Sequence, residues 1–393
     1  MNNGSLDNIN SVFGTIWLLF SRGGWIVFVL LLIYILFKLY MNEIQTQYKK
    51  SISWTFYEIK PPKENLSSFY SAEQIFIQLH QLFDNWSSQE KFLEGRLVFW
   101  VSLEIVSLGG KISFVLRVPT KQKDLVEASF YANYQDIEIN EIEDYLSHFD
   151  YNPDDDKYQM FGTEFVLVEK EVIPIRTYRE FISLKGPDAS EKVVDPLSPL
   201  LEVFSRVSSG EMYALQIIIK PEADGSWKSE AEKLVTELAG EKDFQQLDDI
   251  TKLRITAIKT KLGKPGFKTK IRLLHMGTKE HFNSDAKKLI LSPLKVFSST
   301  NFNSFKPAFS PKLNYQISPT LEAPYIDYWV RKRKIAIFNA FKSRSTWIGE
   351  PMYILNTEEL ATLFHFPVTA DVKIPSVETV DFKKIQPPAN LPI

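Results

Sequence analysis

The sequence predicts a mixed α+β protein carried behind one N-terminal apolar helix. Three observations predict it. Residues Trp25 to Tyr40 read WIVFVLLLIYILFKLY, strand-type alternation and helix-type spacing then follow in the order β, α, β, β, α, β, and the same order can be traced a second time around a polar helical excursion.

The apolar run comes first. A bilayer core takes about 20 apolar residues as a helix, with a range of roughly 17 to 25, and this run, counted from Gly23 or Gly24, sits at the short end. Lys38 near its far end can snorkel its ammonium to the headgroups, and Trp25, Tyr34 and Tyr40 supply interfacial aromatics. Upstream, VFGTIWLLF at 12–20 is too short to span and reads as an interfacial helix, separated from the main run by Ser21, Arg22, Gly23 and Gly24. The first ten residues hold no Lys or Arg and no small-residue cleavage pattern follows the run, so a retained anchor is preferred to a cleaved signal peptide. Lys38, Lys49 and Lys50 follow the span whereas Arg22 alone precedes it. The positive-inside bias thus places the long C-terminal part in the cytoplasm of a single-pass, inner-membrane protein.

Residues 1–50 are therefore interfacial helix, anchor and linker. The first α+β unit takes 51–150. Residues 52–59, ISWTFYEI, alternate as a strand stopped by Lys60-Pro61-Pro62. Ser71 caps a helix with Gln74 three residues on, and Ile75, Leu79 and Leu82 line one face. Residues 97–107 and 111–118 form a hairpin through Leu108-Gly109-Gly110, Pro119 ends the second strand, 120–134 has helical spacing, and 136–142 reads as a short edge strand. That order is the split βαβ of ferredoxin-like domains.

A second unit at 151–310 repeats the order: strand material at 163–175, a helix at 196–207, a strand at 212–220 ended by Pro221, its hairpin partner at 267–276 and a helix at 279–297. The polar, mostly helical insertion 226–262 interrupts it, and insertions of this kind lie on the surface and often hold a binding role. Residues 311–372 form an extended and helical C-terminal packing segment, in which Asn356 or Thr357 caps a short helix whose glutamates face its positive end. A Pro-rich tail, 373–393, reads as linker.

Composition bounds the chemistry. The 393 residues contain no Cys, which excludes disulfides, Cys-based zinc sites and thiol nucleophiles. With 46 basic against 48 acidic residues the chain is nearly neutral, which argues against broad electrostatic capture of nucleic acid. No GxxxxGK[ST] spacing occurs, and in the Gly-containing stretch 262–268 Pro265 removes an amide donor, so it reads as a turn rather than a phosphate loop. The five histidines form no HExxH, the acidic run 154–156 departs from EF-hand spacing, and no G-x-S-x-G is present. No cofactor is expected. Two candidates remain. Arg331, Lys332, Arg333 and Lys334 could touch nucleic acid, anionic lipid or an acidic partner, or else form the solvated face of a helix at 329–341 whose buried stripe is Ile335, Ile337, Phe338 and Phe341. An enzyme would require polar residues such as Glu104, Glu138 or His275 to converge in a pocket.

The string WTFYEIKPPKEN at 54–65, Ser71-Ala72-Glu73-Gln74-Ile75-Phe76, the surroundings of Glu104 and Gly110, YANY with DIEI at 131–139, and Glu143-Asp144-Tyr145 together resemble one family. It is the membrane-anchored N-terminal region, a domain of unknown function, that precedes conjugative-transfer, type IV secretion-like ATPases of candidate-phyla bacteria. Residues 354–367, ILNTEELATLFHFP, resemble the hinge leading into their motor. In that family a connector like PPANLP at 387–392 is followed by a HerA/FtsK-like P-loop ATPase, whereas here the sequence ends at Ile393 and offers no Walker lysine or acid. The resemblance therefore implies a non-catalytic membrane-anchored adaptor or scaffold that docks an ATPase in trans, with homo-oligomerisation plausible and a nucleic-acid-binding subunit or an unrecognised enzyme as the alternatives.

Overall fold

The structure, a computed structural model, describes residues 17, 20–61, 69–82, 86–134, 136–155, 157–183, 195–223, 225–240, 242–308, 319–367 and 377. The expected interfacial helix at 12–20 and the Pro-rich tail at 373–393 lie almost wholly outside these residues. In chain order the elements are α1 (Trp25–Ser51), β1 (Trp54–Lys60), α2 (Phe69–Leu79), α3 (Ser88–Leu93), β2 (Val101–Leu108), β3 (Lys111–Pro119), α4 (Lys123–Asn133), β4 (Glu138–Ile142) and β5 (Tyr158–Leu167). There follow α5 (Tyr178–Ser183), α6 (Ser198–Ser205), β6 (Glu211–Pro221), α7 (Gly225–Ala239), α8 (Asp249–Leu262), β7 (Gly266–Thr278), α9 (Ala286–Leu291), β8 (Phe305–Pro307), α10 (Pro319–Lys342), β9 (Tyr353–Asn356) and α11 (Thr357–Leu363).

The chain divides into two compact units, of which the smaller joins the N-terminal segment through Ser53 to 85–97. Its α1 follows a turn at Phe20–Gly24 in which Gly23 takes φ 99°, a conformation that costs glycine little. Together they form one helical stretch, Phe20–Ser51, whose apolar 18-residue window has a mean hydropathy of 2.3 with none of it buried. This stretch is long and apolar enough to cross a membrane and is compatible with an anchor. Trp25, Tyr34 and Tyr40 are all exposed on it, and the Lys38 ammonium lies 5.5 Å from the Tyr34 ring one turn earlier.

The larger unit is built on one antiparallel sheet of nine strands in the order β4-β1-β3-β2-β6-β7-β5-β8, with β9 added beside β7. The first four strands and the next four repeat one arrangement in mirrored order. They meet where β2 pairs with β6 along the full strand, from Val101 opposite Ile219 to Leu108 opposite Met212. The two strand sets expected from sequence thus share a single sheet. Alternation along the strands sends Leu103, Ile105, Phe114, Leu116, Leu215, Ile217, Ile271 and Leu273 to one face, where they meet Ile75 and Phe76 of α2, Phe130 of α4, Leu201 and Phe204 of α6, Ile290 of α9 and Leu360 of α11. The opposite face carries Val106, Val115, Met160, Ala214, Leu274 and Met276 against Ile337, Phe338 and Phe341 of α10. Three of the four stripe residues expected on that helix are fully buried, and Ile335 is partly so. Helices α7 and α8, the expected insertion, pack through Ala231 and Ile258 onto Val172 and Ile173.

Candidate functional site

Polar residues interrupt the apolar face beneath α10. Strand register places Glu104 of β2 opposite Gln216 of β6, Gln216 opposite Arg272 of β7, and Arg272 opposite Glu164 of β5. All four are buried. The Gln216 amide donates to Glu104 Oε1 at 3.0 Å and to the Phe341 carbonyl at 3.1 Å, while its oxygen accepts from Arg272 Nη1 at 3.2 Å. Arg272 Nε donates to Glu164 at 2.7 Å, and its remaining N–H groups reach the carbonyls of Ala340, Ser345 and Ile348 at 3.0, 2.8 and 2.8 Å. Every guanidinium donor is used. That matters because a buried charge persists only when it is both paired and hydrogen-bonded.

Arg344, just past the end of α10, closes the other end of the row. It grips Glu104 through Nε at 3.0 Å and Nη2 at 3.2 Å, and Asp144 through both terminal nitrogens at 2.5 and 2.9 Å. It holds φ at 50°, the left-handed region, at a cost of about 1–2 kcal/mol that these bonds offset. A helix leaves its last four carbonyls without intrahelical donors and ends in partial negative charge. Here Arg272, Gln216 and Arg344 supply donors to the carbonyls of 340, 341 and 342, so the row and the helix end satisfy each other. Burial alone would push the Glu104 carboxyl up, but Arg344 and the hydroxyls of Ser102 and Tyr145 overturn that and hold it below the ordinary carboxylate range. Burial pushes Lys270, beside the row at 3.9 Å from Glu164, down to about 8.

Gly349 completes the enclosure. Its φ is 90°, and a Cβ there would overlap the Glu164 carboxylate. Gly349→Ala is therefore expected to cost more than about 1 kcal/mol in urea unfolding; an unchanged midpoint would show that the loop moves aside freely.

A second polar cluster gathers around α11. Asn356 is its N-cap, with a full capping box to Glu359. Lys261, at the end of α8, directs its ammonium to Glu359 at 2.9 Å and to the carbonyls of Glu171 and Ile354 at 2.6 and 2.9 Å. Lys264 bridges Glu73 and Glu358, each at 2.5 Å, and Thr177 donates to Glu358 at 2.6 Å. Lys264, within the rejected phosphate loop, thus faces two carboxylates. Burial pushes the Glu359 carboxyl up against the opposing pull of Lys261 and two backbone N–H groups. Beyond the helix, both ring nitrogens of His365 meet oxygens, Ala361 O and Asp195 Oδ1, each at 2.9 Å, and Phe366 lies edge-on to Phe114.

The residues singled out by sequence are dispersed. Glu104 and His275 lie on opposite faces of the sheet, because three positions separate His275 from Arg272 on β7. His275 pairs with Glu211 at 2.8 Å and stacks on Phe282, and burial lowers its pKa. Glu138 sits on edge strand β4 and accepts from Asn140. The basic cluster falls on α10, which runs well beyond the expected 329–341. Arg331 pairs with Asp154 at 2.7 Å, Lys332 lies 5.4 Å from the Tyr328 ring, Arg333 is partly buried, and burial beside Lys287 lowers the Lys334 ammonium. Arg331 and Lys332 are exposed, whereas Arg333 and Lys334 are half-buried. Among the described residues no group of three or more His, Asp or Glu is placed to hold a metal ion.

Sequence reasoning did not single out Arg272, Arg344, Lys261 or Glu164. The usable signal was a charge at an inward position of an otherwise apolar strand, as in IRLLHM around Arg272. Compared with known proteins, the chain matches no family model and no curated protein.

Proposed function

We propose that this chain is a non-catalytic membrane-anchored adaptor, related to the accessory region of a conjugation or type IV secretion-type translocation motor, which docks a HerA/FtsK-like ATPase in trans. The observation that carries this reading is the division of labour between the two units. One is an exposed apolar helix; the other is a sheet whose buried charges are paired with one another and with backbone carbonyls. Glu104, the residue named for an enzymatic reading, is held by Arg344, Gln216, Ser102 and Tyr145 and is left with no free edge for a substrate.

In this reading the two halves of the sheet are ferredoxin-like units. The strand orders β4-β1-β3-β2 and β8-β5-β7-β6, each antiparallel throughout, support that assignment. The anchor lies in the inner membrane with the sheet-bearing unit in the cytoplasm, and residues 354–367 resemble the hinge that leads into the family's motor.

The test is hydrolysis. Purified full chain in detergent is expected to show no ATP turnover above a buffer control, and to raise or localise the activity of an added P-loop ATPase from the same genome when both are placed in liposomes. Turnover by the chain alone, with a contaminating motor excluded by mass spectrometry, would sink the adaptor reading.

A further inference from the structure

The smaller unit contains a second apolar surface beside the anchor. Residues 86–97 lead through α3, whose Ser87 and Glu90 form a complete capping box. Arg96 fastens the turn, pairing with Glu90 at 2.9 Å and Glu94 at 2.7 Å and stacking 4.7 Å from the Trp86 ring. The Trp86 indole donates to the Leu97 carbonyl at 3.1 Å. This is a built loop. Its last turn nevertheless points two large apolar side chains outward, Phe92 at 48% and Leu93 at 62% exposure.

Two contacts fix the height of this loop on α1. The Phe92 ring lies 6.0 Å from Phe37, three residues before the end of the apolar run. Gly95, at φ 65°, comes so close to α1 that a Cβ would stand 2.7 Å from the Ile44 backbone. At 1.5 Å per residue the two contacts are about 10 Å apart along the helix. So α3 straddles the level at which α1 changes from WIVFVLLLIYILFKLY to the polar MNEIQTQYKKS.

From this geometry we infer that α3 dips Phe92 and Leu93 into the headgroup and acyl boundary of the bilayer, as a second lipid-contacting element beside the anchor. The inference rests on the reading of α1 as membrane-spanning. The surface is continuous with the exposed apolar face of α1 at Phe37, and it lies at interfacial depth, where an apolar helix face enters the headgroup and acyl boundary.

The cysteine-free sequence makes the test direct. Single-cysteine variants Leu93→Cys, Ile33→Cys and Gln47→Cys of the full chain are labelled with an environment-sensitive fluorophore and reconstituted into phosphatidylcholine–phosphatidylglycerol vesicles carrying nitroxides at shallow or deep acyl positions. Leu93 is the site of choice because it is exposed and its loss leaves the Phe92–Phe37 contact intact. The label at 93 is expected to be blue-shifted and quenched more by shallow than by deep nitroxides, with 33 quenched most by deep ones and 47 by neither. A label at 93 that emits as in water, while 33 is still quenched, overturns the inference and leaves the anchor standing. A blue shift at 93 without lipid quenching assigns the surface to a second protein copy and overturns it equally. Absence of quenching at 33 removes the anchor reading itself, and this inference with it.

Discussion

Arg272→Met is expected to lower the unfolding free energy by about 3–5 kcal/mol, the range found when one member of a buried, hydrogen-bonded charge group is removed. The side chain is fully enclosed and its donors serve Glu164, Gln216 and three backbone carbonyls. Methionine fills most of the volume but donates nothing. Glu164 then remains as a buried carboxylate with Lys270 at 3.9 Å, the Ser345 carbonyl loses its guanidinium donor, and the carbonyls of Ala340 and Ile348 keep the Ser345 N–H and the Lys270 ammonium. The loss is expected to be local as well as global: hydrogen exchange should quicken first at the amides of 343–350, because the row is what holds the end of α10 and the following turn to the sheet. The double variant Arg272→Met/Glu164→Gln should lose less than the sum of the two single variants, since the uncompensated charge is gone. A single-variant loss below about 1 kcal/mol in urea unfolding would mean that water or rearranged carbonyls replace the guanidinium, and that the row does not fasten the helix.

The same row shows which parts of the molecule were legible beforehand. Strand order was accessible because alternation in ISWTFYEI, KISFVLRV and MYALQIIIK, with Gly109-Gly110 between two of the runs, is a local signal. The cap at Asn356 was accessible for the same reason, since its partner Glu359 is three residues away. The row itself draws on residues 104, 144, 164, 216, 272 and 344, and no local pattern joins them. Strand β9 was missed. Its residues Tyr353–Asn356 are too few to alternate visibly, and their strand character comes from pairing with β7, Tyr353 opposite Thr269 and Asn356 opposite Gly266. The basic run at 331–334 stood out because it is contiguous, yet on the helix Arg331 and Lys332 are exposed while Arg333 and Lys334 are half-buried.

The buried pair at the start of α11 should respond to pH in a way the row under α10 should not. Lys261 and Glu359 are both enclosed, 2.9 Å apart, and the ammonium also holds the carbonyls of Glu171 and Ile354. Lys261→Met removes the cation that faces Glu359, whose carboxyl burial already pushes above its ordinary 4.5. Without Lys261 it rises further. A carboxyl whose native pKa lies above its unfolded value binds more protons in the native state, so its contribution is present below about pH 4.5 and is lost as pH rises through the native value. The variant is therefore expected to be about 3–5 kcal/mol less stable than the parent at pH 7, and much closer to it near pH 4.5. Adding Glu359→Gln should flatten that difference, because glutamine carries no charge, although its single oxygen can accept from only one of the Ile175 and Asn356 N–H groups that now bond separate carboxylate oxygens. Thermal melts of the parent, the single variant and the double variant across this pH range decide the matter. An equal loss at both ends of the range would show that Lys261 acts through its carbonyl bonds alone, and that the cluster linking α8 to α11 is held by hydrogen bonding rather than by charge.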